Sequence, residues 1–341
     1  MKIGMMLPAS IGLHSPGDGV RVQAWRQAEA LERMGHEVRR LNPWEVTEAG
    51  SLDVLHLIQG GHLYSEFEAA RPGRGPIMAF APIIDSNWPN WGFRVAAAIG
   101  VHSPRLATSP WLYRQQILRS QTIVVRSGHE RQRVIQGLGA DPRRVHVVLN
   151  GTRVPVRADP EAVRRRLQLP DGFVLHVSTY TQPRKNVVRM LEALAPTGLP
   201  VVIAGTARPG PVLDRIRELA GRTPHVKLME FVDEETLDGL YSACRAFCLP
   251  TTHEGTGLAA LEAAAAGARV VITRRGGPPD YFLNLAEYVD PEDARDIRAA
   301  VMRAWSAPPS DALQRHVTTN LTWEKSAAAL IEAYRRGMEA A

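Results

Sequence analysis

Short apolar runs alternate with longer amphipathic stretches along the whole chain. In the first half KIGMMLP leads into VQAWRQAEALERMGH, and EVRRLNP, LDVLHLI, PIMAFAP, TIVVRS and VHVVLN follow. The pattern then restarts: FVLHVST, a loop TQPRKN and the helical run VVRMLEALA precede the strands PVVIAGT, VKLMEFV, AFCLPTT and RVVITRR. Strand-then-helix alternation with short connections predicts parallel sheets covered by helices on both faces. Two successive doubly wound, Rossmann-like domains are the simplest account of 341 residues. The join falls in the turn Asn150-Gly151, giving 1–150 as the first domain and 151–310 as the second. Residues 311–341, with the long helical run TWEKSAAALIEAYRRGMEA, are expected to cross back to the first domain. Ligands of such sheets lie beyond the carboxyl ends of the strands, so a cleft between the two domains is the expected site.

Composition adds little to this and removes several alternatives. With 45% hydrophobic and 22% charged residues the chain has the profile of a soluble globular protein. Cys244 and Cys248, the only cysteines, are too few for a disulfide framework or a zinc site and read as small buried residues. No apolar run reaches membrane-spanning length, and MKIGMMLPAS lacks the core of a signal peptide. A cytoplasmic protein is expected. The formal charge is +6, and arginines crowd the first half at Arg21, Arg26, Arg33, Arg39, Arg40, Arg71 and Arg74, then at Arg114, Arg119, Arg126, Arg131 and Arg133. Solvated helix faces, phosphorylated substrates or an anionic membrane would each suit them. No nucleic-acid-binding motif accompanies them, so nucleic acid is not expected as a partner.

The stretch HEGTGLAALEAAAAG, His253 to Gly267, carries Glu254 and Glu262 in a setting of small residues. Gly255 and Gly257 permit a tight turn and LAALEAAAAG is a strong helix former, so Glu254 falls in the loop after a strand and Glu262 inside the helix. Eight residues of helix would span ~12 Å. Free N–H groups at Thr256, Gly257 and Leu258 would attract an anion between the two carboxylates. That is the layout of a nucleotide sugar; an ordinary acidic residue in a first helical turn is the plainer alternative. TQPRKN places Arg184 and Lys185 at another strand end, where they can clamp phosphate. SPGDGV, Ser15 to Val20, reads either as a plain turn or as a close backbone approach at Gly17 and Gly19; it is not a dinucleotide fingerprint.

With these residues in place the chain resembles the retaining GT-B glycosyltransferases of family 4. The E-x7-E of that group stands here as EGTGLAALE, and MGHEV, VLNGT, PRKN, VDEETLDGLYSACRAFCLPTTHEG, RRGGPPDYF, YVDPED and TWEKSAAALIEAYRR are similar to its other blocks. The resemblance covers nearly the whole chain and is stronger in the second half. It implies a GT-B fold, two Rossmann-like domains facing a cleft, and transfer of a sugar from a nucleotide-diphosphate donor to an acceptor hydroxyl. Glu254 would bind donor-sugar hydroxyls, Glu262 the ribose, and Lys185 with Arg184 the diphosphate. Gly257, Leu258 and Thr256 would contact sugar or phosphate, Val232 the base, and Gly19 the phosphate from the first domain.

The departures are Thr256 and Ala259 where the family has Phe and Pro, and the loss of its loop arginine near Thr179. The usual histidine after PIMAFAP is also missing, leaving Asp85 as the nearest polar residue, either catalytic or a loop carboxylate capping a helix. His56 reads as a buried strand histidine, His62 as a residue beside two glycines that could face the cleft, and His253 as the histidine nearest the chemistry. No D-x-D motif is present, so a metal is not invoked, and no cofactor is expected beyond the donor, UDP-sugar ahead of GDP-sugar. The acceptor would be a glycan or a lipid-linked sugar. Trp88, Trp91 and Trp111 with the arginines suit peripheral contact with an anionic membrane; core tryptophans and scattered arginines would look the same. A non-catalytic paralogue, binding or scaffolding an active transferase, is the alternative from another functional class.

Overall fold

Twelve strands in two parallel sheets carry the chain in the computed structural model, which describes residues 1–8, 11, 18–42, 45, 48–59, 75–102, 108–155 and 159–340. His62, Gly17, Arg71 and Arg74 lie outside the described residues. The first sheet comprises β1 (Lys2–Met6), β2 (Glu37–Arg40), β3 (Val54–Ile58), β4 (Ile77–Ala81), β5 (Thr122–Val125) and β6 (Val145–Val147), in the order β2-β1-β3-β4-β5-β6. Its helices are α1 (Gly19–Arg33), α2 (Asn90–His102), α3 (Ser109–Arg119) and α4 (Gly128–Gln132). The second sheet comprises β7 (Val174–Thr179), β8 (Val201–Thr206), β9 (Val226–Glu230), β10 (Ala246–Leu249), β11 (Arg269–Thr273) and β12 (Glu287–Val289), in the order β12-β11-β10-β7-β8-β9. With it run α5 (Pro160–Leu167), α6 (Val187–Leu194), α7 (Pro211–Gly221), α8 (Glu234–Ala243), α9 (Leu258–Ala265), α10 (Pro278–Phe282), α11 (Ala294–Ser306) and α12 (Ala312–Asn320); α13 (Trp323–Glu339) follows and packs with the first sheet.

The chain divides into one unit of Met1–Gly151 with Trp323–Ala341 and another of Thr152–Thr322. The sequence reading assigned 311–341 together to the crossing helix. Instead α12 stays in the second unit, where Leu313 and Val317 are buried and the Gln314 side chain donates to the Ala265 carbonyl. Only α13 joins the first unit. There the Gln27 amide donates to the Ser326 hydroxyl, and Gly337 sits where a Cβ would fall 2.0 Å from the Thr122 hydroxyl.

Each sheet is apolar throughout its centre because helices cover both faces. Val54, Leu55, Leu57 and Ile58 of β3 are buried, and so is His56 between them. His56 is therefore the strand histidine expected of it: its Nδ1 shares a 2.6 Å hydrogen bond with the Tyr334 hydroxyl of α13, and burial lowers its pKa to about 3. In the second unit Val174, Ile203, Cys248 and Val271 form one core with Met190, Leu191 and Val301. Cys244 and Cys248 are buried free thiols. Among the described residues no helix is long and apolar enough to cross a membrane.

The second sheet reverses its direction of growth between β10 and β7, which are adjacent although two strands, β8 and β9, separate them in sequence order. At such a switch point the loops leaving the two strands diverge and open a crevice at their carboxyl ends. Those loops are TQPRKN after β7 and PTTHEGTG after β10. In the first sheet the reversal lies between β1 and β3.

Candidate active site

The crevice beyond β7 and β10 gathers the charged residues of both loops. After β7 the chain makes a single turn, Pro183–Lys185, and reverses at Asn186 in the left-handed region, φ 61°. The Asn186 side chain donates to the carbonyls of Pro250 at 2.9 Å and Pro291 at 2.7 Å, and the Thr252 N–H donates to the Arg184 carbonyl at 2.9 Å. The two loops are thereby sewn together. The Lys185 ammonium reaches the Glu254 carboxylate at 3.1 Å, with the Arg184 guanidinium 3.8 Å away. The Lys185 side chain is 12% exposed and that of Glu254 11%, whereas Arg184 is 43% exposed and turned to solvent.

The main chain fixes Glu254 as firmly as its side chain does. Its N–H donates to the Arg275 carbonyl, and its carbonyl accepts from the Gly277 N–H. Gly276 between them has φ 106°, and a Cβ there would lie 2.1 Å from the Glu254 oxygen. His253, 7% exposed, packs its ring against the same glycine. Gly257, φ 84°, caps α9 with no side-chain hydrogen bond, and no acidic residue stands in the first turn. The amide end of α9 thus points its positive dipole at the crevice. Thr256 is 4% exposed and its hydroxyl donates to that of Tyr281, while Leu258 opens the helix, half-buried.

Glu262 lies inside α9, as the spacing predicts, with its side chain 21% exposed. Burial raises its pKa, and Arg153, whose Nε is 3.7 Å away, draws it back. Val232 is half-buried after β9. Its neighbour Phe231 is 77% exposed with φ 56°, a conformation that costs a bulky side chain energy. Gly19 and Asp85 belong to the first unit. Gly19 opens α1, which is capped by the Asp18 carboxylate accepting from Val20 and Arg21. Asp85 follows β4 and pairs with Arg126 at 2.8 Å; the same guanidinium meets Glu130 at 3.2 Å. It is the partner of a buried arginine.

Three second-unit residues escaped the sequence reading. His176 of β7 is buried beneath the crevice, bonded to the Cys248 carbonyl at 2.8 Å and the Ser178 hydroxyl at 2.7 Å, and burial lowers its pKa to about 4. A lone imidazole within the apolar VLHVST was its signal. Arg153, beside Glu262, lay in the segment read only as a linker, and Phe231 in a run read as strand. Among the described residues no three His, Cys, Asp or Glu side chains gather as a metal site would require.

The sequence of 161–320 matches the family model of Glycosyl transferases group 1, and this span contains Arg184, Lys185, Val232, Glu254 and Glu262. The chain is 28% identical over 193 residues to the serotype-specific mannosyltransferase WbdA of Escherichia coli, an alignment that takes in 52% of this chain and 23% of that protein. It spans about half or less of the length of the curated relatives it matches. The sucrose-phosphate synthase of Thermosynechococcus elongatus superposes with a TM-score of 0.76 at 18% identity, covering 100% of both chains. Anabaena HepE in complex with UDP and glucose superposes with a TM-score of 0.68 at 15% identity, over 97% of this chain and 98% of that one. The fold is GT-B, with the two parallel six-stranded sheets described above.

Proposed function

We infer that the protein is a retaining glycosyltransferase that moves a sugar from a nucleotide-diphosphate donor to an acceptor hydroxyl in glycan, glycolipid or cell-surface polysaccharide synthesis. One observation carries the reading: Lys185 and Glu254 meet at 3.1 Å at the sheet's switch point, beside the uncapped amide end of α9. A cation, a carboxylate and free N–H groups in one crevice suit a sugar joined to a diphosphate. On donor entry Lys185 exchanges its carboxylate for diphosphate oxygens, and Glu254 turns to sugar hydroxyls. Glu262 accepts the ribose hydroxyls, and the base rests on Val232 and Phe231.

In the reaction the bond between the anomeric carbon and the leaving phosphate oxygen breaks. A bond from the acceptor oxygen forms on the same face, and the departing diphosphate takes the acceptor's proton. Catalysis then consists of positioning and stabilising the leaving charge. Lys185, Arg184 and the α9 dipole supply that charge stabilisation, so transfer proceeds without a divalent metal. UDP is favoured over GDP; the HepE structure contains UDP, and the loop residues here suit either base.

Peripheral contact with an anionic bilayer, bringing a lipid-linked acceptor within reach, is supported by α2. Trp91, Val95 and Ile99, at helical spacing, are 69%, 51% and 45% exposed, and Trp88 just before the helix is 56% exposed. Between Asp85 and Arg126 the chain has no acidic residue and four arginines. Trp111 does not share this face, because it packs against Gly100, where a Cβ would lie 2.3 Å from its ring.

The test is thermal stabilisation by UDP, GDP, ADP, dTDP and CDP, followed by product analysis. A ligand at 100 times its dissociation constant adds ~2.7 kcal/mol. One nucleotide is expected to stabilise the wild type and not Glu262→Ala, and Lys185→Ala is expected to lose at least roughly a hundredfold in turnover. Normal turnover in both variants would remove these residues from the site. Nucleotide binding with no transfer under any donor and acceptor pairing would make the protein a binding partner of a transferase instead.

A further inference from the structure

The chain passes from its first unit to its second at Gly151 and Thr152, and the next residue is Arg153. Its guanidinium is shared among three carboxylates. The two terminal nitrogens hold Asp238 of α8, Nη1 to Oδ2 at 2.8 Å and Nη2 to Oδ1 at 2.5 Å. Nη1 also stands 3.4 Å from Glu234 at the rim, and Nε faces Glu262 at 3.7 Å. Arg153 is 18% exposed and Asp238 only 4%. Burial opposes the charge on Arg153, and the carboxylates more than offset it, so its pKa lies above the ordinary value. For Glu262 burial dominates and favours the neutral form; Arg153 is the largest influence restoring the charge.

This geometry separates two roles. A fork occupied bidentately by a buried carboxylate is fixed in place. It is not free to swing toward a phosphate, so its effect is exerted on Glu262. A protonated Glu262 would lose much of its strength as an acceptor for hydroxyls. We propose that Arg153, fixed by Asp238, is a positioning residue that aims the Glu262 carboxylate at the ribose hydroxyls of a nucleoside diphosphate. The ribose preference of the donor site thus depends on the first residues of the connecting segment. The proposal rests on the donor-site reading above, in which Glu262 meets the ribose.

The experiment measures, by calorimetry on the full chain, the affinities of UDP and GDP beside their 2′-deoxy forms. The wild type is expected to prefer the ribonucleotide by roughly tenfold or more, the scale of a hydrogen bond to a charged group. Glu262→Gln should lose most of that preference. Arg153→Met alone strips the cation from buried Asp238, so the double variant Arg153→Met, Asp238→Asn carries the test with both charges removed. It is expected to lose the ribose preference while binding the 2′-deoxy nucleotide as the wild type does. Arg153→Lys, which keeps a charge without the fork, should recover part of the preference and serves alone if the double variant does not fold. A structural defect would lower both affinities together, and that result would overturn the proposal. Full ribose preference in the double variant, or in Arg153→Lys when it stands alone, would also overturn it and leave the donor reading intact. A wild type with no ribose preference, or a Glu262→Gln that keeps it, would overturn both.

Discussion

Gly276 shows how a residue without a side chain can hold a carboxylate in place. Its φ of 106° and the 2.1 Å approach to the Glu254 oxygen leave no room for a methyl group. Gly276→Ala is expected to cost about 2 kcal/mol or more of stability, read as a lower urea midpoint, and to reduce turnover further than the stability loss explains. Unchanged turnover at full folding would show that Glu254 tolerates a shifted main chain. Two buried histidines set a pH dependence. Folded His56 stays neutral to about pH 3 and His176 to about pH 4, whereas both take up a proton near pH 6.5 once unfolded. The unfolded chain therefore binds more protons as pH falls below 6.5, and each histidine costs about 1.4 kcal/mol of stability per pH unit in that window. Urea midpoints should fall between pH 7 and pH 5, and less steeply in His176→Asn. The placement of Glu254, Glu262 and Lys185 was legible because glycines, a strand end and a helix start constrain them locally. Arg153 and His176 were not: their partners lie 85 and 72 residues away, and nothing in their own neighbourhoods encodes those contacts.

At the scale of the element, the strand and helix alternation was legible throughout, because each run is amphipathic or apolar on its own account. Which strands adjoin was not, since β7 meets β10 through the order of the whole sheet. That adjacency is what joins the PRKN loop to the EGTG loop. The exposed face of α2 was half legible. Three tryptophans were visible, but only packing separates Trp111, lying on Gly100, from exposed Trp88 and Trp91. The membrane reading belongs at this scale. The wild type is expected to sediment with vesicles rich in anionic phospholipid and not with zwitterionic ones. Trp91→Ser with Val95→Ser should cut that binding at least roughly tenfold, given the apolar area withdrawn. Equal sedimentation of the double variant would show that α2 is not the contact.

At the scale of the molecule, α13 makes the first unit discontinuous: its last helix is encoded after the entire second unit. A ribosome releases the chain from its amino end, so β1 to β6 emerge long before the helix that supplies Tyr334 to His56 and packs Gly337 on Thr122. During that interval the nascent first sheet lacks a helix of its own cover, while Thr152–Thr322 is contiguous and complete as soon as it clears the exit tunnel. The order of maturation is thus expected to reverse the order of synthesis, with the second unit native first. The earlier-made half would be the client of any chaperone that attends the chain.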